Sequence, residues 1–155
     1  MRKKKSYTIA VDFDGTCVTH EFPRIGRNIG AIPVLRALVE NGHKIILLTM
    51  RDHNELGNSW NVDGHDTLAE ALNWFAENNI PLHGINNNPD QTWSASRKVF
   101  ADVYIDDMAL GVPLKTNETI SPRPYVDWVT VSYSLYQMGL ITTEQYLSIS
   151  SEAQF

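Results

Sequence analysis

The sequence has a single cysteine, no long apolar run and no excess of positive charge, and each shortage argues against a class of protein. Cys17 has no partner for an internal disulfide, which favours a reducing compartment, so we expect a cytoplasmic protein. No apolar stretch reaches the length that crosses a bilayer, so no membrane partner is expected. The net charge of −5 makes nucleic acid an unfavourable partner without excluding it.

The composition is that of an ordinary globular domain, with 43% hydrophobic and 20% charged residues. A chain of 155 residues can bury one core without disulfides or structural metals. We therefore predict a single domain over residues 1–155. Within it, residues 1–6 form a basic tail, and residues 108–155 form a C-terminal extension that packs on the core.

Short apolar runs alternate with amphipathic segments along the chain. Strands are predicted over 7–11, 44–49, 82–86 and 102–105, and helices over 31–41, 66–79 and near 91–98. Two more helices are predicted, over about 125–138 and from Thr142, where Thr142 and Gln145 have capping-box spacing. Strands separated by helices indicate an α/β fold, a doubly wound, Rossmann-like parallel sheet with helices on both faces.

Polar residues follow three of the predicted strands. The stretch "VDFDGT" places Asp12 and Asp14 at the end of the first strand, and Gly15 comes directly after them. Ligands bind beyond the carboxyl ends of strands in such sheets, so these residues are expected at one edge. The other candidates for this edge are Thr49, Met50 and Arg51 after the second strand, Asp106 and Asp107 after the last, and Arg97 and Lys98 just before it.

Two carboxylates at one strand end suit phosphoryl transfer, which needs an in-line nucleophile and a proton for the leaving group. Asp12 would attack phosphorus and form an aspartyl-phosphate. Asp14 points the same way in an extended backbone, so it would protonate the leaving alcohol and then deprotonate the attacking water. Acids beside an anionic phosphate require a hard divalent cation, and we expect Mg²⁺.

The chain resembles the haloacid dehalogenase (HAD) superfamily of phosphotransferases through "VDFDGT", "LLTMR", Lys98 and "VYIDD", over roughly residues 7–107. The resemblance implies that Asp12, the main-chain carbonyl of Asp14, and Asp107 hold the metal, with Asp106 in the outer shell. It also implies that the Thr49 hydroxyl and the Met50 N–H bind the phosphoryl oxygens, while Lys98 offsets charge. Arg97 or Arg51 could take the place of Lys98.

Within that superfamily, an acid at position 14 implies a phosphatase. The short segment between Thr16 and the first helix leaves little room for a cap domain, so a capless member is expected. Capless members act on large phosphorylated substrates or borrow a neighbouring subunit as a lid, so a homo-oligomer is a further possibility. The substrate class stays open, and so do two alternatives: a nucleic-acid end phosphatase, and a non-catalytic phosphate-binding protein of the same fold.

The segment over residues 52–65 is longer than the usual loop between a strand and a helix, and it opens on the predicted site. Arg51 and Trp60 are therefore candidates for contact with the substrate. The alternative is that Trp60 packs the loop against the body of the protein.

Overall fold

The computed structural model describes residues 4–57 and 64–153. Along the chain these form β1 (Thr8–Val11), α1 (Ala31–Glu40), β2 (Lys44–Leu47), α2 (Thr67–Glu77), β3 (Gly84–Ile85), β4 (Val103–Ile105), β5 (Leu114–Asn117), β6 (Ser121–Val126), α3 (Trp128–Gln137) and α4 (Thr143–Glu152). Within the described residues, no helix combines the length and the apolar character needed to cross a membrane.

The first four strands form one parallel sheet in the order β3-β2-β1-β4. In its register, Ile9 of β1 lies opposite Ile45 of β2 on one side and Val103 of β4 on the other. The predicted α/β class, with a parallel sheet flanked by helices, is confirmed. The doubly wound arrangement with helices on both faces is not, because no helix of the described residues connects β3 to β4 and all four helices contribute to the core on one face. Because β1 is central, Asp12 at its carboxyl end lies between the ends of β2 and β4.

The main core covers one face of this sheet. Ile9 and Val11 of β1 and Ile45 and Leu47 of β2 belong to a hydrophobic cluster that also contains buried side chains of all four helices. Side chains alternate along a strand, so Ala10 points to the opposite face, where it is buried outside this cluster.

The segment that returns from β3 to β4 contains no helix, so the helix predicted near 91–98 is wrong. Its short polar side chains bond to nearby backbone N–H groups instead. Asn88, Ser94 and Ser96 accept from the N–H groups of Asp90, Ser96 and Lys98. Such local bonds offer the backbone an alternative to a helical ladder, which is why a weakly amphipathic segment stays irregular.

The C-terminal extension begins with a hairpin that the sequence did not reveal. β5 and β6 pair in antiparallel fashion, and the helix predicted from residue 125 begins at Trp128. Pro124 restricts the residue before it to extended backbone, and Asp127 caps α3 by accepting from the Thr130 N–H. The helix predicted from Thr142 is confirmed as α4, together with its reciprocal capping box.

Candidate functional site

The carboxyl ends of the parallel strands meet at an open cavity of about 350 Å³. The structure brings together there the acids that follow β1 and β4 and the three residues that follow β2. The cavity is lined by Asp12, Asp14, His20, Phe22, Thr49, Met50, Arg51, Asp106, Asp107, Met108 and Arg123. Most of the predicted site residues are therefore neighbours, although they come from distant parts of the chain.

Three carboxylates form the centre of the site. One oxygen from each of Asp12, Asp106 and Asp107 lies within 4.8 Å of the others, which is close enough to share a cation. Thr16 links two of these acids, because its hydroxyl donates to Asp12 Oδ2 at 2.8 Å and accepts from the Asp107 N–H at 3.0 Å. Asp106, which the family resemblance placed in the outer shell, offers its carboxylate alongside the other two.

Burial raises the pKa of Asp12 to about 7, and it raises the pKa of Asp107 as well. The charges of Asp106 and Asp107 act on Asp12 in the same direction, while the hydrogen bond from Thr16 opposes them. A cluster of acids that resists ionisation in this way is stabilised in its charged form by a cation. The donor set consists of carboxylate oxygens, which suits Mg²⁺.

Gly15 allows Asp107 to approach Asp12. Its φ of +80° lies in the left-handed region, and a Cβ at this position would be 2.3 Å from Asp107 Oδ2. The cluster of acids therefore needs a glycine directly after "DFD", both for the backbone turn and for the space beside it.

We expect Gly15→Ala to weaken Mg²⁺ binding by about tenfold or more, because the added methyl group displaces the Asp107 carboxylate. Gly42→Ala is the matched control, since Gly42 has a φ of +84° and a Cβ added there would meet nothing within 4 Å. Both variants should lose about 1–2 kcal/mol of stability from backbone strain alone. Calorimetric titration with Mg²⁺ should separate them, and equal affinities would contradict this role of Gly15.

Asp14 is held by Arg51 in a two-point ion pair. Arg51 Nε donates to Asp14 Oδ2 and Arg51 Nη2 donates to Asp14 Oδ1, both at 2.7 Å. The Arg51 side chain is 1% exposed and the Asp14 side chain 13%, so solvent screens this pair far less than it screens a surface pair. Asp14 is thereby oriented by a residue that follows the neighbouring strand.

The rest of the Arg51 guanidinium is also occupied. It donates to the carbonyl oxygens of Pro23, Arg24 and Thr67, so all five of its N–H groups are used. It also lies 5.0 Å from the ring centre of Phe13 and 5.3 Å from that of Phe22. These contacts leave no free donor for a phosphate, which argues against Arg51 in the role of Lys98. Arg51 does line the cavity, so its contact with substrate stays a prediction.

Lys98 and Arg97 do not line the cavity. Both precede β4, whose carboxyl end carries the acids, and Lys98 lies beside a separate surface cavity with Trp93 and Phe100. Lys98 was assigned to the site from its position before "VYIDD", but the helix predicted to carry it does not form. The structure thus contradicts the placement of Lys98 or Arg97 at the site.

Thr49 and Met50 reach the cavity from the end of β2. The Thr49 N–H donates to Asn86 Oδ1 at 2.8 Å, and the Thr49 hydroxyl accepts from the Arg51 N–H at 3.1 Å. The hydroxyl proton of Thr49 therefore remains available for an acceptor in the cavity. The Met50 side chain is exposed, and within residues 4–57 and 64–153 no acceptor is found for the Met50 N–H.

Arg123 and His20 also line the cavity, and the sequence analysis did not identify either of them. Arg123 lies on β6, in the stretch "SPRPYV", which looked like an irregular polar segment because two prolines interrupt it. His20 lies in the loop that follows the first motif. In the sequence, Arg123 stands out only as a basic residue between two prolines in a polar region.

The C-terminal extension supports the loop that carries the acids. The Trp128 indole Nε1–H donates to the Thr16 carbonyl at 2.6 Å, and the Val126 N–H donates to the Gly15 carbonyl at 3.1 Å. These bonds attach the end of β6 and the start of α3 to the turn after β1. Arg123, on the same strand, is thereby fixed relative to the acids.

The segment over 52–65 is described in part. The Asp52 carbonyl accepts from the Leu68 N–H and from the Thr67 hydroxyl, which attaches the start of the loop to α2. Trp60, the residue predicted to contact substrate from this loop, lies outside the described residues.

The fold and the site define an α/β protein with a carboxylate-rich cavity at the carboxyl edge of its parallel sheet. No family model and no curated protein matches the chain. Among solved structures, it is similar to a conserved protein from Bacteroides thetaiotaomicron, at 30% identity and a TM-score of 0.63. The match covers 87% of this chain and 93% of that one, so the chain belongs to the same family as that conserved protein.

Proposed function

We propose that the protein is a Mg²⁺-dependent phosphomonoester hydrolase of the HAD type that works through an aspartyl-phosphate on Asp12. The observation that carries the proposal is the partly buried Asp12 carboxylate, one oxygen of which lies within 4.8 Å of an oxygen of Asp106 and of Asp107 at the edge of an open cavity. The raised pKa of Asp12 supports the proposal, because carboxyl groups with perturbed pKa values in a cleft are concentrated at functional sites.

Asp12, Asp106 and Asp107 are the residues that would hold Mg²⁺. When bound, the cation offsets the charge of the acids and polarises a phosphoryl oxygen. The raised pKa values of Asp12 and Asp107 support this assignment, because both carboxyl groups are poorly solvated as anions. The main-chain carbonyl of Asp14, implied as a ligand by the family resemblance, remains part of the proposal.

Asp12 acts as the nucleophile. Thr16 holds its Oδ2, so the second oxygen is the one available to attack phosphorus, and the Asp12 N–H donates to the Ile105 carbonyl at 3.0 Å. The nucleophile is thus fixed from two sides, which reduces the entropy lost on reaching the transition state. The Thr49 hydroxyl and the Met50 N–H bind the phosphoryl oxygens from the neighbouring strand.

Asp14 transfers the proton to the leaving alcohol and takes it from the attacking water. Arg51 holds both of its oxygens in the structure, so a leaving-group oxygen has to replace one guanidinium contact. Before substrate binds, the ion pair keeps the Asp14 carboxylate oriented toward the cavity. This exchange is the step of the proposed mechanism that depends most on local movement.

The same ion pair favours a second candidate function, that of a phosphate-binding protein without turnover. If Asp14 serves only to hold Arg51, the residues around Asp12 still form a site for Mg²⁺ and a phosphate. The remaining alternative, a nucleic-acid end phosphatase, gains little from the structure, because Arg123 is the one Lys or Arg among the lining residues with free donors in the described chain.

Release of inorganic phosphate from a panel of phosphorylated metabolites, nucleotides, oligonucleotide ends and phosphopeptides tests the proposal. We expect Mg²⁺-dependent hydrolysis of at least one class, lost on chelation and restored when Mg²⁺ is added back. Phosphate binding without hydrolysis of any compound would support the binding protein instead. Preference for oligonucleotide ends, with a steep dependence on salt, would identify the end phosphatase.

A further inference from the structure

The site carries more negative than positive charge even when a divalent cation is bound. Asp12, Asp106 and Asp107 can contribute three negative charges, while Arg51 offsets the charge of Asp14. A phosphate monoester adds about two more negative charges near neutral pH, and a divalent cation supplies two positive ones. A net negative site repels its substrate, so a positively charged side chain with free donors would favour binding.

We propose that Arg123 binds the phosphoryl group of the substrate and supplies the charge expected of Lys98. The inference rests on the proposed function. Arg123 lines the same cavity as the acids, and its exposed side chain has no hydrogen bond or ion pair with any described residue. Arg51, by contrast, has all five donors in use, and Lys98 lies at another surface.

The hairpin holds Arg123 in place before substrate arrives. Pro122 and Pro124 restrict the backbone on either side, and the Arg123 N–H donates to Ser121 Oγ at 3.2 Å. Further along β6, the Val126 N–H bonds to the Gly15 carbonyl in the turn that follows the acids. The backbone is therefore fixed relative to Asp12, while the long side chain remains free to close on a ligand.

Arginine suits this task better than the other lining residues. Its planar guanidinium matches two oxygens of a phosphate at once, and it carries its charge at every physiological pH. His20 also lines the cavity, but an imidazole is a cation only when protonated. In this arrangement the C-terminal extension completes the site, and the parallel sheet alone would lack its phosphate-binding cation.

The test measures binding of inorganic phosphate by calorimetry in the presence of Mg²⁺, alongside kcat/KM for the best substrate of the panel. We expect Arg123→Gln to weaken phosphate binding by about tenfold or more, and Arg123→Lys to recover part of that loss. Lys98→Gln is the matched control and should bind phosphate as the wild type does. Mg²⁺ affinity without phosphate should be the same in all four proteins.

Three results would overturn the inference. Unchanged phosphate affinity in Arg123→Gln would mean that Arg123 does not bind the phosphoryl group. The proposed function would still stand if the wild type hydrolyses phosphomonoesters. A matching loss of Mg²⁺ affinity or of thermal stability in Arg123→Gln would indicate a structural role. A wild-type protein that neither binds phosphate nor releases it would refute the proposed function, and this inference with it.

Discussion

Asp12→Asn should lower phosphate release by about 10³-fold or more, because an amide cannot form the bond to phosphorus. Its shape is nearly that of the aspartate, so the contact with Thr16 and the packing against β4 should persist. We would measure turnover at saturating Mg²⁺, and we would look for a phosphoryl group on the peptide containing Asp12 after acid quenching. The wild type should show this modification during turnover, and the variant should not.

The stability of Asp12→Asn separates loss of chemistry from loss of fold. Burial raises the pKa of Asp12 from 3.8 to about 7, so in the absence of metal its ionisation opposes folding increasingly as the pH rises between these values and fully above about 7. With Mg²⁺ chelated at pH 8, the asparagine variant should therefore unfold at the same or a higher temperature than the wild type. Asp90→Asn is the matched control, since Asp90 pairs with Lys44 on an exposed surface and should leave turnover unchanged. Full activity in Asp12→Asn would refute the nucleophile assignment.

The convergence of the acids was predictable because it depends on topology alone. Alternating strands and helices predict a parallel sheet, and all strands of such a sheet end at the same edge. The acids after the first and last strands are therefore expected at that edge, and the strand order makes β1 and β4 neighbours. No side-chain detail is needed for that step. One carboxylate oxygen from each of Asp12, Asp106 and Asp107 lies within 4.8 Å of the others, at the edge that the pattern indicates.

The partners of those acids were not predictable in the same way. Whether a basic side chain reaches the cavity depends on the path of irregular segments. Local side-chain bonds at Ser94 and Ser96 replace the helix that was expected to carry Lys98. Arg51 is adjacent to the site in both the sequence and the structure, yet carbonyl groups from distant loops use up its donors. Arg123 lies on the β5–β6 hairpin, which is difficult to predict from the sequence because two prolines interrupt β6.

Arg51→Ala should lower the free energy of unfolding by about 3–5 kcal/mol, the second large effect that the structure implies. The change leaves the largely buried Asp14 carboxylate without its partner. It also removes the donor from three backbone carbonyls that accept from the guanidinium in the wild type. Arg36→Ala is the matched control, because Arg36 is exposed and donates to one carbonyl, that of Asn78. Arg36→Ala should lower the free energy of unfolding by no more than about 1 kcal/mol, as measured by chemical denaturation.

A double-mutant cycle with Asp14 determines how much of this cost belongs to the ion pair. Asp14→Ala removes one partner, and the double variant with Arg51→Ala removes both, so the buried charge is no longer left alone. We expect the double variant to be less destabilised than the sum of the single ones, with a coupling of about 1–3 kcal/mol. Arg51→Lys should rescue little, since an ammonium group cannot reach Asp14 and the three carbonyls from one point. Additive costs would mean that the ion pair contributes no net stability and that Arg51 stabilises the fold through the three carbonyls alone.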